Sequence, residues 1–138
     1  MGPNDAQIVR VFSREPKGPI ADLTLDPTKD AEIVVEAEAG DTLHQTGGKY
    51  SVTLVVRDIS DGTAIPATVA GAPQPNEVKG SFTDANWPNL AAGFDFVISS
   101  ATLQNHRGHL AQAYGSVLYG TGKPGVTFAV SQPFQILP

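Results

Sequence analysis

The chain has 138 residues, of which 41% are hydrophobic and 17% are charged, a composition typical of a globular protein with a low charge content. The net charge of −5, with only nine Lys and Arg residues, argues against nucleic acid as a partner, because phosphate binding needs clustered basic side chains. The absence of cysteine excludes disulfides and thiolate sites, and no apolar run reaches the roughly 20 residues of a membrane span.

Alternation of apolar and polar residues, interrupted by Gly, Pro, Asn and Asp, predicts β-strands along the whole chain. In the segment 31–39 the glutamates Glu32, Glu36 and Glu38 share one face, which is typical of a half-buried strand with its glutamates in water. In chain order, the predicted strands are AQIVRVFS, IADLTLD, AEIVVEAEA, KYSVTLVVRDIS, GFDFVIS, HLAQAYGSVLYG and GVTFAVSQPFQIL. HLAQAYGSVLYG is mixed on both faces, which is typical of a central strand whose second face is also partly covered.

The last of these segments aligns five apolar residues on one parity, namely Val126, Phe128, Val130, Phe134 and Ile136. Its proline at position 133 marks an edge position or a bulge, since proline cannot donate to a ladder. Helix signals are sparse: the one candidate is a single turn in DANWPNLAAG (84–93).

About eight or nine short strands with frequent turn signals predict an all-β fold, an antiparallel β-sandwich in a single domain spanning 1–138. A closed β-barrel or a jelly roll is the alternative.

The stretch GHLAQAYGSVLYGTGKPGVTFAVSQPFQI (108–136) resembles the closing hairpin of immunoglobulin-like and fibronectin-type-III-like sandwiches. In these folds a tyrosine-bearing strand runs through a Gly/Pro turn into a final strand. The Cys…Trp…Cys core of true immunoglobulin domains is missing, so the resemblance implies an architecture and no functional residues.

The motif NHRGHL (105–110) contains two of the three histidines, His106 and His109. In a strand, residues three apart point to opposite faces, so only a tight turn, which Gly108 permits, would bring the two rings together. Zinc would need further ligands from elsewhere, and His44 is the third histidine. We interpret the motif as an inter-strand turn that contributes to a loop-end recognition surface and not as a pair of metal ligands.

Calcium is the next candidate ligand, because oxygen ligands in the loops of sandwiches often bind it. DPTKD offers Asp26 and Asp30, and RDISDG offers Asp58 and Asp61 before a glycine. Neither segment matches a full calcium loop, and Asp before Gly is ordinary turn chemistry. We therefore predict no metal and no cofactor, with these four residues as weak calcium candidates.

The loop residue Trp87 in ANWPN lies either over the end of the core or in an exposed contact. If exposed, it would make a sugar-stacking surface together with polar residues such as Asn86, Asn89 and Gln104. The tyrosines lie within predicted strands, where core packing is the expected role.

No nucleophile motif or paired-carboxylate motif is recognisable, so the chain is predicted not to be an enzyme. The sequence favours a binding or structural module that engages a protein partner within a larger surface or extracellular assembly. A carbohydrate-binding module is the alternative, and a small metal-dependent hydrolase using His106 and His109 is the weaker one. The compartment and the oligomeric state stay open, with an extracellular or cell-surface setting favoured.

Overall fold

The computed structural model describes residues 2–46, 48–69, 74–120 and 124–138. Within these ranges the chain forms ten strands and two short helices. They are β1 (Ala6–Arg14), β2 (Thr24–Leu25), β3 (Ala31–Ala39), α1 (Asp41–Gln45), β4 (Lys49–Asp58), β5 (Ala64–Ile65), β6 (Glu77–Ser81), β7 (Ala91–Ile98), α2 (Ser100–Gln104), β8 (Leu110–Tyr119), β9 (Gly125–Val130) and β10 (Phe134–Ile136).

The strands form two separate sheets that pack face to face and not a closed barrel. The three-stranded sheet has the order β1-β3-β7, and the seven-stranded sheet has the order β2-β10-β8-β4-β5, with β6 also paired to β4 and β9 to β8. The pairings are antiparallel except for that of β10 with β2. The predicted antiparallel, immunoglobulin-like β-sandwich is confirmed, with ten strands where about eight or nine were expected.

Period-two alternation accounts for the core between the two sheets, because alternate side chains of each strand point inward. In β4 the inward side chains are Tyr50, Val52, Leu54 and Val56, and all four are buried, as are their counterparts in β3 and β7. Together they form one hydrophobic cluster with residues from both sheets. Among the described residues, no helix is long and apolar enough to cross a membrane.

The outer face of β3 is less open to water than its glutamates predict. Glu32 is buried, because Arg14 on the neighbouring strand β1 lies over it, with Arg14 Nη2 3.0 Å from Glu32 Oε2. The Lys17 backbone N–H donates to Glu32 Oε1 at 2.8 Å. Glu36 pairs with Arg10 in the same way. The prediction that the glutamates share one face is therefore correct, but the prediction that Glu32 lies in water is wrong.

The last predicted strand is broken into two, and the single apolar face expected there is wrong. Val126, Phe128 and Val130 in β9 are exposed, whereas the two apolar residues of β10 are buried. The break lies at 131–133, where Ser131 is buried and its backbone N–H donates to the Ala113 carbonyl at 2.8 Å. Because residues 131–133 are irregular, the even-numbered residues point to solvent before the break and into the core after it.

The helical turn expected near Trp87 does not form. The Asp84 carboxylate accepts hydrogen bonds from the backbone N–H groups of Ser81, Asn86 and Trp87, and these bonds stabilise turns instead of a helix. The two short helices lie elsewhere, each at a connection between the sheets. In α2 the N-cap is Ser99, whose side chain accepts from the Thr102 N–H.

Candidate functional site

The carboxylate of Asp58 lies at the centre of the cluster of polar side chains that we regard as the candidate site. Asp58 is the last residue of β4 and is fully buried. Its Oδ2 atom lies 2.7 Å from His106 Nδ1 and 2.5 Å from His109 Nδ1. Because an ionised carboxylate only accepts hydrogen bonds, both imidazoles carry a proton on Nδ1 and donate it to the same oxygen.

The two histidines converge because NHRGHL folds as a turn between α2 and β8. Gly108 adopts φ +78, a conformation that favours glycine, and its N–H donates to the Ile136 carbonyl at 2.9 Å. The Ile136 N–H in turn donates to the His109 carbonyl at 2.9 Å. Strand β8 begins only at Leu110, so the alternation that would separate the rings does not apply. The predicted turn is confirmed, and the open question of convergence is answered.

Asp61 completes the cluster from the turn that follows β4. Its backbone N–H donates to Asp58 Oδ1 at 3.1 Å, and its Oδ1 accepts from the Thr63 N–H and the Thr63 hydroxyl at 2.9 and 2.6 Å. Its second oxygen, Oδ2, lies 3.8 Å from His109 Nδ1. One potential metal-ligand atom from each of Asp58, Asp61, His106 and His109 lies within 4.8 Å of the other three.

The cluster is closed on one side and open on the other. The side chain of His106 is 9% exposed, whereas those of His109 and Asp61 are 35% and 40% exposed. Burial by itself raises the pKa of the Asp58 carboxyl, but the hydrogen bonds from His109, His106 and the Asp61 N–H outweigh it. They lower that pKa from 3.8 to about 2.

This lowered pKa makes a prediction about stability at acid pH. Because the folded-state pKa of Asp58 lies below its unfolded value, the stabilisation is fully present above that unfolded value and is lost as the pH falls through about 2. We expect the free energy of unfolding of the wild type to fall by roughly 2 kcal/mol more than that of Asp58→Asn between about pH 5 and pH 2. Urea unfolding with a chelator present measures this difference. Parallel pH profiles for the two proteins would contradict it.

Trp87 is fully buried, so the expectation of an exposed tryptophan platform is wrong. Its ring packs against Tyr50, Phe82 and Phe94 at centroid distances of 5.1, 4.9 and 5.4 Å. The indole Nε1–H donates to the Leu90 carbonyl at 3.1 Å. Trp87 therefore closes the core at this end of the sandwich, the other role that its sequence context allowed.

The remaining sugar-site candidates lie at opposite ends of the sandwich. Asn86 and Asn89 are exposed and precede β7, whereas Gln104 follows β7 in α2, where its side-chain Nε2–H donates to the Pro27 carbonyl at 2.8 Å. A strand of eight residues separates the two groups. They cannot contribute to one small binding surface with Trp87.

The four calcium candidates separate into two pairs. Asp58 and Asp61 belong to the histidine cluster, and Asp26 and Asp30 do not. Asp26 Oδ1 accepts from the Thr28 N–H and hydroxyl at 2.9 and 2.6 Å, and Asp30 Oδ1 accepts from the Ser100 N–H at 2.8 Å. The carboxylates of the second pair therefore have turn-forming and helix-anchoring partners.

His44 lies at the other end of the sandwich from the cluster, beside the aromatic core. It is buried in α1, and its Nε2–H donates to the Trp87 carbonyl at 2.9 Å. Its ring lies beside that of Phe82 in a tilted arrangement, with the ring centroids 6.0 Å apart. The third histidine therefore has a structural partner and is not available to a site formed by the other two.

Sequence reasoning missed a second feature, an exposed apolar surface on the outside of the seven-stranded sheet. Cross-strand pairing places Val130 beside Tyr114, Val126 beside Leu118, and Tyr114 beside Val55. We call this the outer apolar surface; its members are Val55, Tyr114, Leu118, Val126, Phe128 and Val130, with exposed fractions of 45, 38, 53, 59, 77 and 50%. The sequence did contain an indication of this surface, because apolar residues occupy both odd and even positions in the last two long strands.

No protein-family model matches the chain, and no curated protein matches it in sequence. Solved structures do match it in fold. AggA, the major subunit of aggregative adherence fimbriae type I from Escherichia coli, is 10% identical with a TM-score of 0.51, over 97% of this chain and 95% of that chain. A glycosyl hydrolase family 2 member from Bacteroides cellulosilyticus is 14% identical with a TM-score of 0.49, over 91% of this chain and 15% of that chain. The similarity to the fimbrial subunit extends over the whole β-sandwich, and at this identity it shows a shared fold.

Proposed function

We propose that this chain is a non-catalytic binding module that docks a partner protein on the outer apolar surface, within a larger surface or extracellular assembly. The observation that carries the proposal is the exposure of six neighbouring apolar side chains on one sheet face, with Phe128 77% exposed. Contiguous apolar patches on soluble proteins mark interaction sites, whereas single exposed apolar residues need no explanation.

The composition of the surface is that of an interface core. The outward positions of β8 and β9 that face one another are Tyr114, Ser116 and Leu118 against Val130, Phe128 and Val126, and none is charged. Charged residues lie at its margin, with Arg57 on β4 and Lys79 on β6. An apolar centre with aromatic residues and a charged rim is the usual anatomy of a protein–protein interface.

Strand β9 also borders a groove that such a partner could enter. It pairs with β8 on one side, and within the described ranges no strand pairs with its other side. There the Ile8 N–H donates to the Thr127 hydroxyl at 3.3 Å. A groove of about 360 Å³ runs between β1 and β9, with Val9, Phe12 and Ala129 among its lining residues. An apolar groove beside an apolar face favours docking of another protein.

The fold itself is compatible with an assembly role. AggA, which shares the sandwich over nearly its whole length, is by its name the major subunit of a fimbria. The architecture can therefore serve in a subunit of an assembled structure. For this chain, membership of such an assembly is part of the proposal.

The test uses photo-crosslinking followed by affinity measurement. A photoreactive phenylalanine analogue at position 128, in the full-length protein in its source cell, is expected to crosslink to one partner protein. Binding of that purified partner is then expected to weaken about tenfold or more in Phe128→Ser, because a buried aromatic anchor contributes about 2 kcal/mol to an interface.

The matched control is Ile20, which is 74% exposed but lies in the loop between β1 and β2, outside the outer apolar surface. The analogue at position 20 is expected to give no crosslink to that partner, and Ile20→Ser is expected to bind it as the wild type does. Equal loss of affinity in both variants, or unchanged affinity in Phe128→Ser, would overturn the proposal.

A further inference from the structure

We infer that Asp58, Asp61, His106 and His109 form a binding site for one divalent transition-metal ion, with Zn²⁺ as the best fit. Two imidazole nitrogens and two carboxylate oxygens are a ligand set that zinc accepts. All four atoms lie within 4.8 Å of one another, although the residues come from two segments that are far apart in sequence.

Each carboxylate is held so that one oxygen is anchored and the other faces the histidines. Asp58 Oδ1 is held by the Asp61 N–H, and Asp61 Oδ1 is held by the N–H and hydroxyl of Thr63. The second oxygens are Asp58 Oδ2, which accepts hydrogen bonds from both rings, and Asp61 Oδ2, which faces His109. Partners that orient the ligands in this way are typical of metal sites.

The ligand atoms approach, but do not yet reach, the separations found around a tetrahedral ion. Four ligands at about 2.1 Å from zinc lie roughly 3.4 Å from one another. The separations here are 2.7 and 2.5 Å from Asp58 Oδ2 to the two Nδ1 atoms, and 3.8 Å from Asp61 Oδ2 to His109 Nδ1. They fall on both sides of the required value. Side-chain shifts of about 1 Å would therefore admit the ion in place of the two Nδ1 protons.

The surroundings allow a cation to enter and to stay. His109 and Asp61 are each more than a third exposed, which leaves an entry path, while Asp58 is fully buried. The neighbouring Arg57 does not occupy the cluster, because its guanidinium donates to the Gly62 carbonyl at 2.8 Å. Two imidazole ligands favour zinc, copper or nickel over calcium, whose ligands are oxygen atoms.

A bound ion would link the end of β4 and the turn after it, which supply Asp58 and Asp61, to the turn before β8. That second turn supplies His106 and His109. The site is separate from the outer apolar surface. Phe128→Ser is therefore expected to bind Zn²⁺ as the wild type does, and failure of one proposal would leave the other standing.

The experiment is isothermal titration of chelator-treated, purified protein with ZnCl₂, and in parallel with CaCl₂. We expect one equivalent of Zn²⁺ to bind with micromolar or tighter affinity, a rise in the unfolding temperature with zinc, and no comparable binding of Ca²⁺. Replacement of Zn²⁺ by Co²⁺ is expected to give the visible absorption of a four-coordinate ion.

The matched variants are Asp61→Asn and Asp26→Asn, because both carboxylates sit in the same Asp-x-Thr turn and only the first belongs to the cluster. Asp61→Asn and His109→Gln are each expected to weaken Zn²⁺ binding at least tenfold, and Asp26→Asn is expected to leave it unchanged. No stoichiometric binding by the wild type, or equal binding by all three variants, would overturn the assignment.

Discussion

Replacing Asp58 by alanine is expected to lower the free energy of unfolding by about 3 kcal/mol, even without any metal. The carboxylate is fully buried and accepts three hydrogen bonds, from His106, His109 and the Asp61 N–H. Its removal leaves two imidazole donors and one backbone donor without their acceptor at the junction of two turns. Urea denaturation near neutral pH with a chelator present measures the loss.

The control for this substitution is Asp61→Ala, which removes a carboxylate of the same cluster whose side chain is 40% exposed. Its effect is expected to stay below about 1 kcal/mol, because exposed charge pairs contribute little to stability. Similar losses of unfolding free energy in the two variants would show that the burial of Asp58 adds nothing to the contribution of its carboxylate. That result would contradict the central place given to this carboxylate.

Replacing Trp87 by alanine is expected to cost about 4 kcal/mol, the largest loss predicted for a single residue here. Its side chain is fully buried and contacts three aromatic rings at one end of the core. Truncation removes these contacts and leaves a large cavity. For a domain whose net stability is about 5–15 kcal/mol, such a loss is a major fraction.

Trp87→Phe is the matched control, since it keeps an aromatic ring in the core and loses mainly the hydrogen bond to the Leu90 carbonyl. We expect it to cost about 2 kcal/mol. Because the chain has a single tryptophan, wild-type fluorescence reports on this site directly. Emission at the wavelength of a solvated indole in the native state, or a negligible loss in Trp87→Ala, would contradict the buried position.

The strands and their inward residues could be predicted because period-two alternation is a local property of each strand. In β4, for example, every inward residue expected from the alternation is buried. The same reasoning failed at β9, where the break at 131–133 reversed the faces. Alternation identifies the two faces of a strand, but it does not determine which of them the opposite sheet covers.

The candidate site was predictable only in part. His106 and His109 stand out in the sequence, and Asp58 and Asp61 stand out as turn carboxylates, but nothing local joins the two pairs. Asp58 is 48 residues from His106. The antiparallel pairing of β4 with β8, which sets Asp58 opposite Ala111, brings the ends of the two segments together.

The sequence by itself determined a cysteine-free all-β chain and the inward residues of β3, β4 and β7, because composition and alternation act within short segments. The tertiary structure alone decided that Trp87 closes the core and that an apolar face stays open around Phe128. The sequence predicted that NHRGHL is a turn, but only the tertiary structure shows that this turn directs both histidines to one buried carboxylate. The physical reason is that burial and convergence depend on which distant strands become neighbours, and no short segment encodes its neighbours.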